Sequence, residues 1–127
     1  AKEASSCFGG GGVVPSTGSI QTEPFTNTAA TIQPAEGEVW TINPALLKAT
    51  NASVNNVVVT ITIRDNDNIL TFPTVALLAG ASKFVIGADS SAPMVSPIML
   101  TNSLYMTIEA DSDNICTYHL PIVMEAI

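Results

Sequence analysis

A chain of 127 residues, 46% of them hydrophobic, is long enough to bury one core and short for more than one domain. Its four basic residues, Lys2, Lys48, Arg64 and Lys83, lie scattered against eleven acidic ones for a net charge of −7; nucleic acid is therefore a poor partner, because phosphate neutralisation needs clustered cations. No apolar run approaches the roughly 20 residues of a membrane-spanning helix, so no membrane partner is expected.

Charged residues make up only 12% of the chain, which leaves Thr, Ser, Asn and Ala to fill much of the surface. Such a surface is cheap to desolvate and suits extensive contact with neighbouring protein. The N-terminus, Ala1-Lys2-Glu3-Ala4-Ser5-Ser6, has neither the charged nor the apolar region of a signal peptide. Synthesis in the cytoplasm is the expectation, with Ala1 read as a second codon exposed by removal of the initiator Met or as the first residue of a form trimmed by processing. Cys7 and Cys116 belong to no CxxC pair; a disulfide between them is open, and the cytosolic character favours two thiols.

Residues 1–34 read as an extended arm. Four consecutive glycines at 9–12 carry the largest ordering cost of any residue type, and such a stretch is a tether until a partner orders it. Phe8, Val13, Val14, Ile20 and Phe25 are isolated apolar groups without a sustained period, either anchors for a neighbour or members of an irregular loop.

Residues 35–127 read as the folded domain. Regular structure is expected to begin over residues 28–33, and the turn Pro34-Ala35-Glu36-Gly37 leads into Glu38-Val39-Trp40-Thr41-Ile42, which places Trp40 and Ile42 on one face. Residues 43–50 fit either a helical turn with Pro44 at its first position or an extended strand; we favour a strand with a Pro-induced irregularity. Residues 56–64 give the clearest strand, Val57, Val59, Ile61 and Ile63 alternating with Val58, Thr60, Thr62 and Arg64. After the reversal Asp65-Asn66-Asp67-Asn68, residues 69–78 return with Pro73, which predicts a sheet edge or a bulge. A turn at Gly80-Ala81-Ser82, a strand over 83–86 and a longer loop over 87–97 follow. The last strands are residues 103–109, with Leu104, Met106 and Ile108 on one face, and 115–124, with Cys116, Tyr118, Leu120, Ile122 and Met124 on one face. About eight short strands without a long helix predict an all-β antiparallel sandwich of the jelly-roll kind.

Chemistry is sparse. The single histidine, His119, stands in a strand, no Gly-x-Ser-x-Gly elbow is present, and a polar residue on a strand's outer face is the simpler reading. Asp65-x-Asp67 and Asp111-x-Asp113 open like calcium loops, but Leu70 and Ala76 occupy the places where an EF-hand needs Gly and an acid, so turn formation is favoured. As stacking rings for a glycan, Trp40 is better placed in the core and Tyr105 alone is a weak platform. Asn51-Ala52-Ser53 matches the glycosylation sequon, a frequent chance match. No catalytic residue, metal or cofactor is assigned, and the chain is expected not to be an enzyme.

Three stretches, Gly37-Glu38-Val39-Trp40-Thr41-Ile42, residues 56–65 and Pro97-Ile98-Met99-Leu100 with Leu104-Tyr105-Met106-Thr107-Ile108, give about ninety residues a general pattern. That pattern resembles the head-decoration (cement) and minor β-sandwich structural proteins of tailed bacteriophages. The resemblance implies a non-enzymatic virion protein on the capsid surface, a homotrimer that binds the major capsid protein between subunits and opposes internal pressure. In that reading the arm docks across neighbouring subunits, and deleting residues 1–28 abolishes attachment while the domain stays folded. The alternative is a receptor- or glycan-binding module of a fibre or tail tip.

Overall fold

The computed structural model describes residues 16–86 and 97–126. Within them lie strands β1 (Ser16–Phe25), β2 (Ala30–Ile32), β3 (Glu38–Ile42), β4 (Lys48–Asn51), β5 (Val57–Arg64), β6 (Ile69–Thr71), β7 (Val75–Leu77), β8 (Ser82–Phe84), β9 (Ile98–Leu100), β10 (Tyr105–Ala110) and β11 (Cys116–Ala126). All strand pairs are antiparallel.

Several strands lie end to end and act as one interrupted strand. β4 and β3 share one side of β11, β7 and β6 share one side of β5, and β8 and β9 continue the row outside β4 and β3. The first sheet is then β1, β11, β3 with β4, and β9 with β8; the second is β2, β10, β5, and β6 with β7. The chain therefore fills eight strand positions in two four-row sheets and crosses between the sheets in the order of a jelly roll. The expected all-β sandwich is the fold observed.

Period-two alternation builds the core. Val57, Val59 and Ile61 of β5 and Met106, Ile108 and Ala110 of β10 face Trp40 and Ile42 of β3 and Tyr118, Leu120 and Ile122 of β11; all are buried. Each fully buried aliphatic side chain of this kind contributes about 1.5–3 kcal/mol against leaving it in water. Two glycines shape the turns into the first sheet. Glu38 N–H donates to Ala35 O and Ala81 N–H to Leu78 O, both at 3.0 Å, and the third turn residue, Gly37 (φ 88°) or Gly80 (φ 74°), has the positive φ that a side chain resists.

Pro73 falls in the break between β6 and β7, on the outer row of the second sheet. Phe72 N–H still reaches Ile61 O at 2.9 Å across the break, so the edge placement expected for this proline is met. Residues 43–50 split the two readings offered for them. Pro44–Leu46 forms one 3₁₀ turn, capped by the Asn43 carboxamide accepting from Ala45 N–H, and β4 follows immediately.

The arm expected over residues 1–34 is revised where it is described. Ser16–Phe25 pairs with β11 along ten residues, and Ala30–Ile32 pairs with β10. Residues 1–15, with Phe8, Val13, Val14 and the glycine run, lie outside the described residues, as does the loop over residues 87–96.

Candidate protein-contact face

Burial of one face of β11 dictates what its other face presents. With Cys116, Tyr118, Leu120 and Ile122 turned into the core, Thr117, His119, Pro121, Val123 and Glu125 turn outward. The registers align their neighbours on the same side. Val123 pairs with Gly18 and Thr41, and Thr41 with Met99; Pro121 pairs with Ile20; His119 pairs with Thr22 and Lys48, and Lys48 with Phe84.

The outer face of the first sheet thus carries an apolar stripe of Ile20, Pro121, Val123, Leu46 and Met99, with Phe84 at one margin. Ile20, Leu46, Phe84, Met99 and Val123 are between 41 and 66% exposed. Only Lys48 and Glu125 bring formal charge to the paired rows of this face. Charge depletion with exposed apolar side chains is the composition of the centre of a protein interface, and single scattered hydrophobics would not form such a stripe.

A recess of about 220 Å³ opens in the stripe, lined by Thr41, Asn43, Leu46, Pro97, Pro121 and Val123 among others. Its origin is a change of pairing partner. The register of β11 with β4 ends at His119 opposite Lys48, and that with β3 begins at Ile122 opposite Ile42, while the 3₁₀ turn carries the chain from one to the other. Pro121 sits in this gap, where the missing N–H costs a central strand least. A second recess of about 380 Å³, lined by Pro24, Phe25, Thr26, Thr28, Ala29, Ala30 and Ile115, lies at the start of β2 beside the entry to β11.

The outer face of the second sheet differs. Thr31, Thr107, Thr62 and Thr71 align across β2, β10, β5 and β6. The hydroxyls of Thr62 and Thr107 hydrogen bond at 2.5 Å, and Arg64 Nε donates to Thr62 Oγ1 at 3.1 Å.

Of the five residues expected to anchor a partner, the structure places two. Ile20 is the exposed centre of β1 and joins the stripe. Phe25 is corrected: it is 2% exposed, opposite Cys116, and belongs to the core. Val123, Met99 and Leu46 were not singled out as contact residues; alternation turns Val123 away from the core, but only the register brings the three into one stripe.

The other candidates resolve into structure. His119 lies on the outer face with Nδ1 3.1 Å from Thr22 Oγ1. The Asp65 carboxylate accepts from the N–H groups of Asp67 and Asn68, both at 2.7 Å, and these bonds, in that order, hold its pKa below 3.8. Asp111 accepts from Val58 N–H at 3.0 Å. Among the described residues no three His, Cys, Asp or Glu side chains gather where a metal ion would sit. Trp40 is 8% exposed, its indole N–H donating to Glu38 Oε1 at 3.3 Å, and Tyr105 is half-buried. Among the described residues Cys116 is a buried free thiol, Cys7 lying outside them; burial, and then the charge of Asp111, push its pKa up and make it a poor nucleophile.

Compared with protein-family models, curated proteins and solved structures, the chain matches none.

Proposed function

We propose that this chain is a non-enzymatic virion structural protein that binds between capsid subunits of a tailed phage and stabilises the shell. The observation that carries the reading is the apolar, charge-poor stripe across the outer face of the first sheet, a surface suited to broad protein contact. The resemblance of the sequence to decoration proteins supplies the partner. The stripe also favours a protein partner over the glycan alternative, which calls for exposed rings with convergent polar groups.

Deletion of residues 1–28 is not a clean test of this reading. Removing residues 1–28 takes away β1 and with it Phe25 of the core, so loss of attachment would no longer report on an arm. Point changes on the stripe replace it. Purified chain is mixed with capsids assembled from the major capsid protein of the phage that carries its gene, and pelleted. Wild type co-sediments at saturable stoichiometry, whereas Val123→Lys and Met99→Lys remain in the supernatant with unchanged unfolding midpoints. Capsids left bare by the wild-type protein, or decorated equally by both variants, would overturn the reading.

A further inference from the structure

We infer that two copies of this chain join edge to edge through β1, in an antiparallel pairing about a two-fold axis near Ile20 and Gln21. The inference does not rest on the capsid reading.

Among the described residues, β1 is paired on one side only, by β11, over ten residues. The strands at the other margins, β2, β6, β7, β8 and β9, are three residues each. Short edge strands are one of the devices by which sheets avoid unwanted pairing, and β1 lacks it. Over most of its length it lacks proline and charge as well. Its one proline and one charge, Pro24 and Glu23, both lie near its C-terminal end, which leaves Thr17-Gly18-Ser19-Ile20-Gln21-Thr22 uncharged and able to donate and accept along the open edge.

The same segment is complementary to itself. In an antiparallel pair centred on Ile20, Gly18 faces Thr22 of the partner subunit and Glu23 faces Thr17 of the partner subunit. Centred one residue on, Glu23 faces Ser19 of the partner subunit. In both registers no carboxylate meets a carboxylate, whereas a pair centred on Glu23 brings the two acids together. Ile20, 66% exposed on the single chain, packs against its own copy at the axis. An isologous pairing of this kind closes at two chains, in place of the threefold that the resemblance implies. It also joins two first sheets into one, so that the apolar stripes of both copies run on as a single surface.

Light scattering behind a sizing column, on the full chain at tens of micromolar, is expected to give twice the 13.2 kDa chain mass. Ile20→Lys places two ammonium groups at the axis and raises the dissociation constant at least about tenfold, with the unfolding midpoint of the monomer unchanged. Val123→Lys, on the outer face one strand inward, leaves the mass at two chains. Hydrogen exchange supplies the second readout: outward amides of β1 are protected in the wild type and exchange in Ile20→Lys. A mass of one or three chains overturns the proposal, as does a pair indifferent to Ile20→Lys or one lost in Val123→Lys, which would mean face-to-face packing. A single-chain mass with β1 fully protected overturns it too, since the chain's own residues would then occupy the edge.

Discussion

The carboxamide of Asn51, on β4 of the first sheet, donates to the carbonyl oxygen of Leu77, on β7 of the second, at 3.0 Å. Its second N–H goes to Asn55 O at 2.7 Å, and its oxygen accepts from the N–H and the hydroxyl of Ser53. Asn51 is fully buried, and its own backbone exchanges bonds with Gly80 and Ala81. One side chain therefore stitches the two sheets together and fixes the loop that follows β4.

This arrangement predicts a large effect from a small change. Asn51→Ala deletes two donors and an acceptor and strands the buried Leu77 carbonyl, a loss of about 2–4 kcal/mol. Thermal unfolding should report a midpoint lowered by on the order of 10 °C. Asn51→Asp is expected to be worse near neutral pH, because a carboxylate cannot donate to the two carbonyls that Asn51 holds. The sequon at this position is closed to modification in the folded chain, since both amide hydrogens are committed and out of solvent.

Trp40 separates the core reading from a ligand-binding one. It stacks in the sandwich opposite Leu100 and Met124 in register, with one polar contact to Glu38. Trp40→Ala should cost about 3–5 kcal/mol of stability, and Trp40→Phe appreciably less. In the intact protein the emission is expected to be blue-shifted and poorly quenched by acrylamide. A red-shifted, readily quenched indole would contradict the burial.

Side-chain alternation explains which parts of this fold were legible. Residues 57–61 and 116–122 bury every second residue, and both strands, with their inward faces, follow from the sequence. β1 escaped for a physical reason. Its residues opposite the buried Ile122, Leu120 and Tyr118 are Ser19, Gln21 and Glu23, so its inward face is polar except at Phe25. It is held by the backbone ladder to β11, and that leaves no hydrophobic period to read. The contact face was hidden for a related reason: alternation alone turns Val123 outward, but only the register brings Ile20, Val123 and Met99 together on one face.

Thr62 and Thr107 predict non-additivity. Their hydroxyls are 2.5 Å apart, 5 and 6% exposed, on adjacent strands of the second sheet. Changing Thr62 alone to Val leaves the Thr107 hydroxyl without this partner and deprives Arg64 Nε of its acceptor, at a cost of about 1–2 kcal/mol. Thr107→Val alone is expected to cost about 1 kcal/mol. The double variant removes both hydroxyls and places two β-branched side chains together, so its loss should fall below the sum by about 0.5–1 kcal/mol. Urea unfolding of the four proteins measures that difference, and simple additivity would show that the hydroxyl pair contributes nothing specific.

Tyr118 is expected to weaken the fold at alkaline pH. Its ring is fully buried on β11, and among the described residues its hydroxyl has no hydrogen-bond partner of good geometry. Burial pushes its pKa from 10.0 up to about 12; Gln21, reaching from β1, offsets part of this, and the charge of Glu23 adds to it. Because the folded value lies above the unfolded one, the protonated phenol favours the native state. That contribution is complete below pH 10 and disappears as the pH rises toward 12, a span corresponding to roughly 3 kcal/mol. Tyr118→Phe should abolish this part of the alkaline loss. At pH 7 it should also be neutral or stabilising by about 1 kcal/mol, since it removes an unsatisfied buried hydroxyl and keeps the ring. Urea midpoints of both proteins at pH 7, 9 and 11 test the pair of outcomes. Parallel decline of the two from pH 9 to 11 would place the alkaline weakness elsewhere, and a clear loss at pH 7 would mean that the hydroxyl is bonded after all.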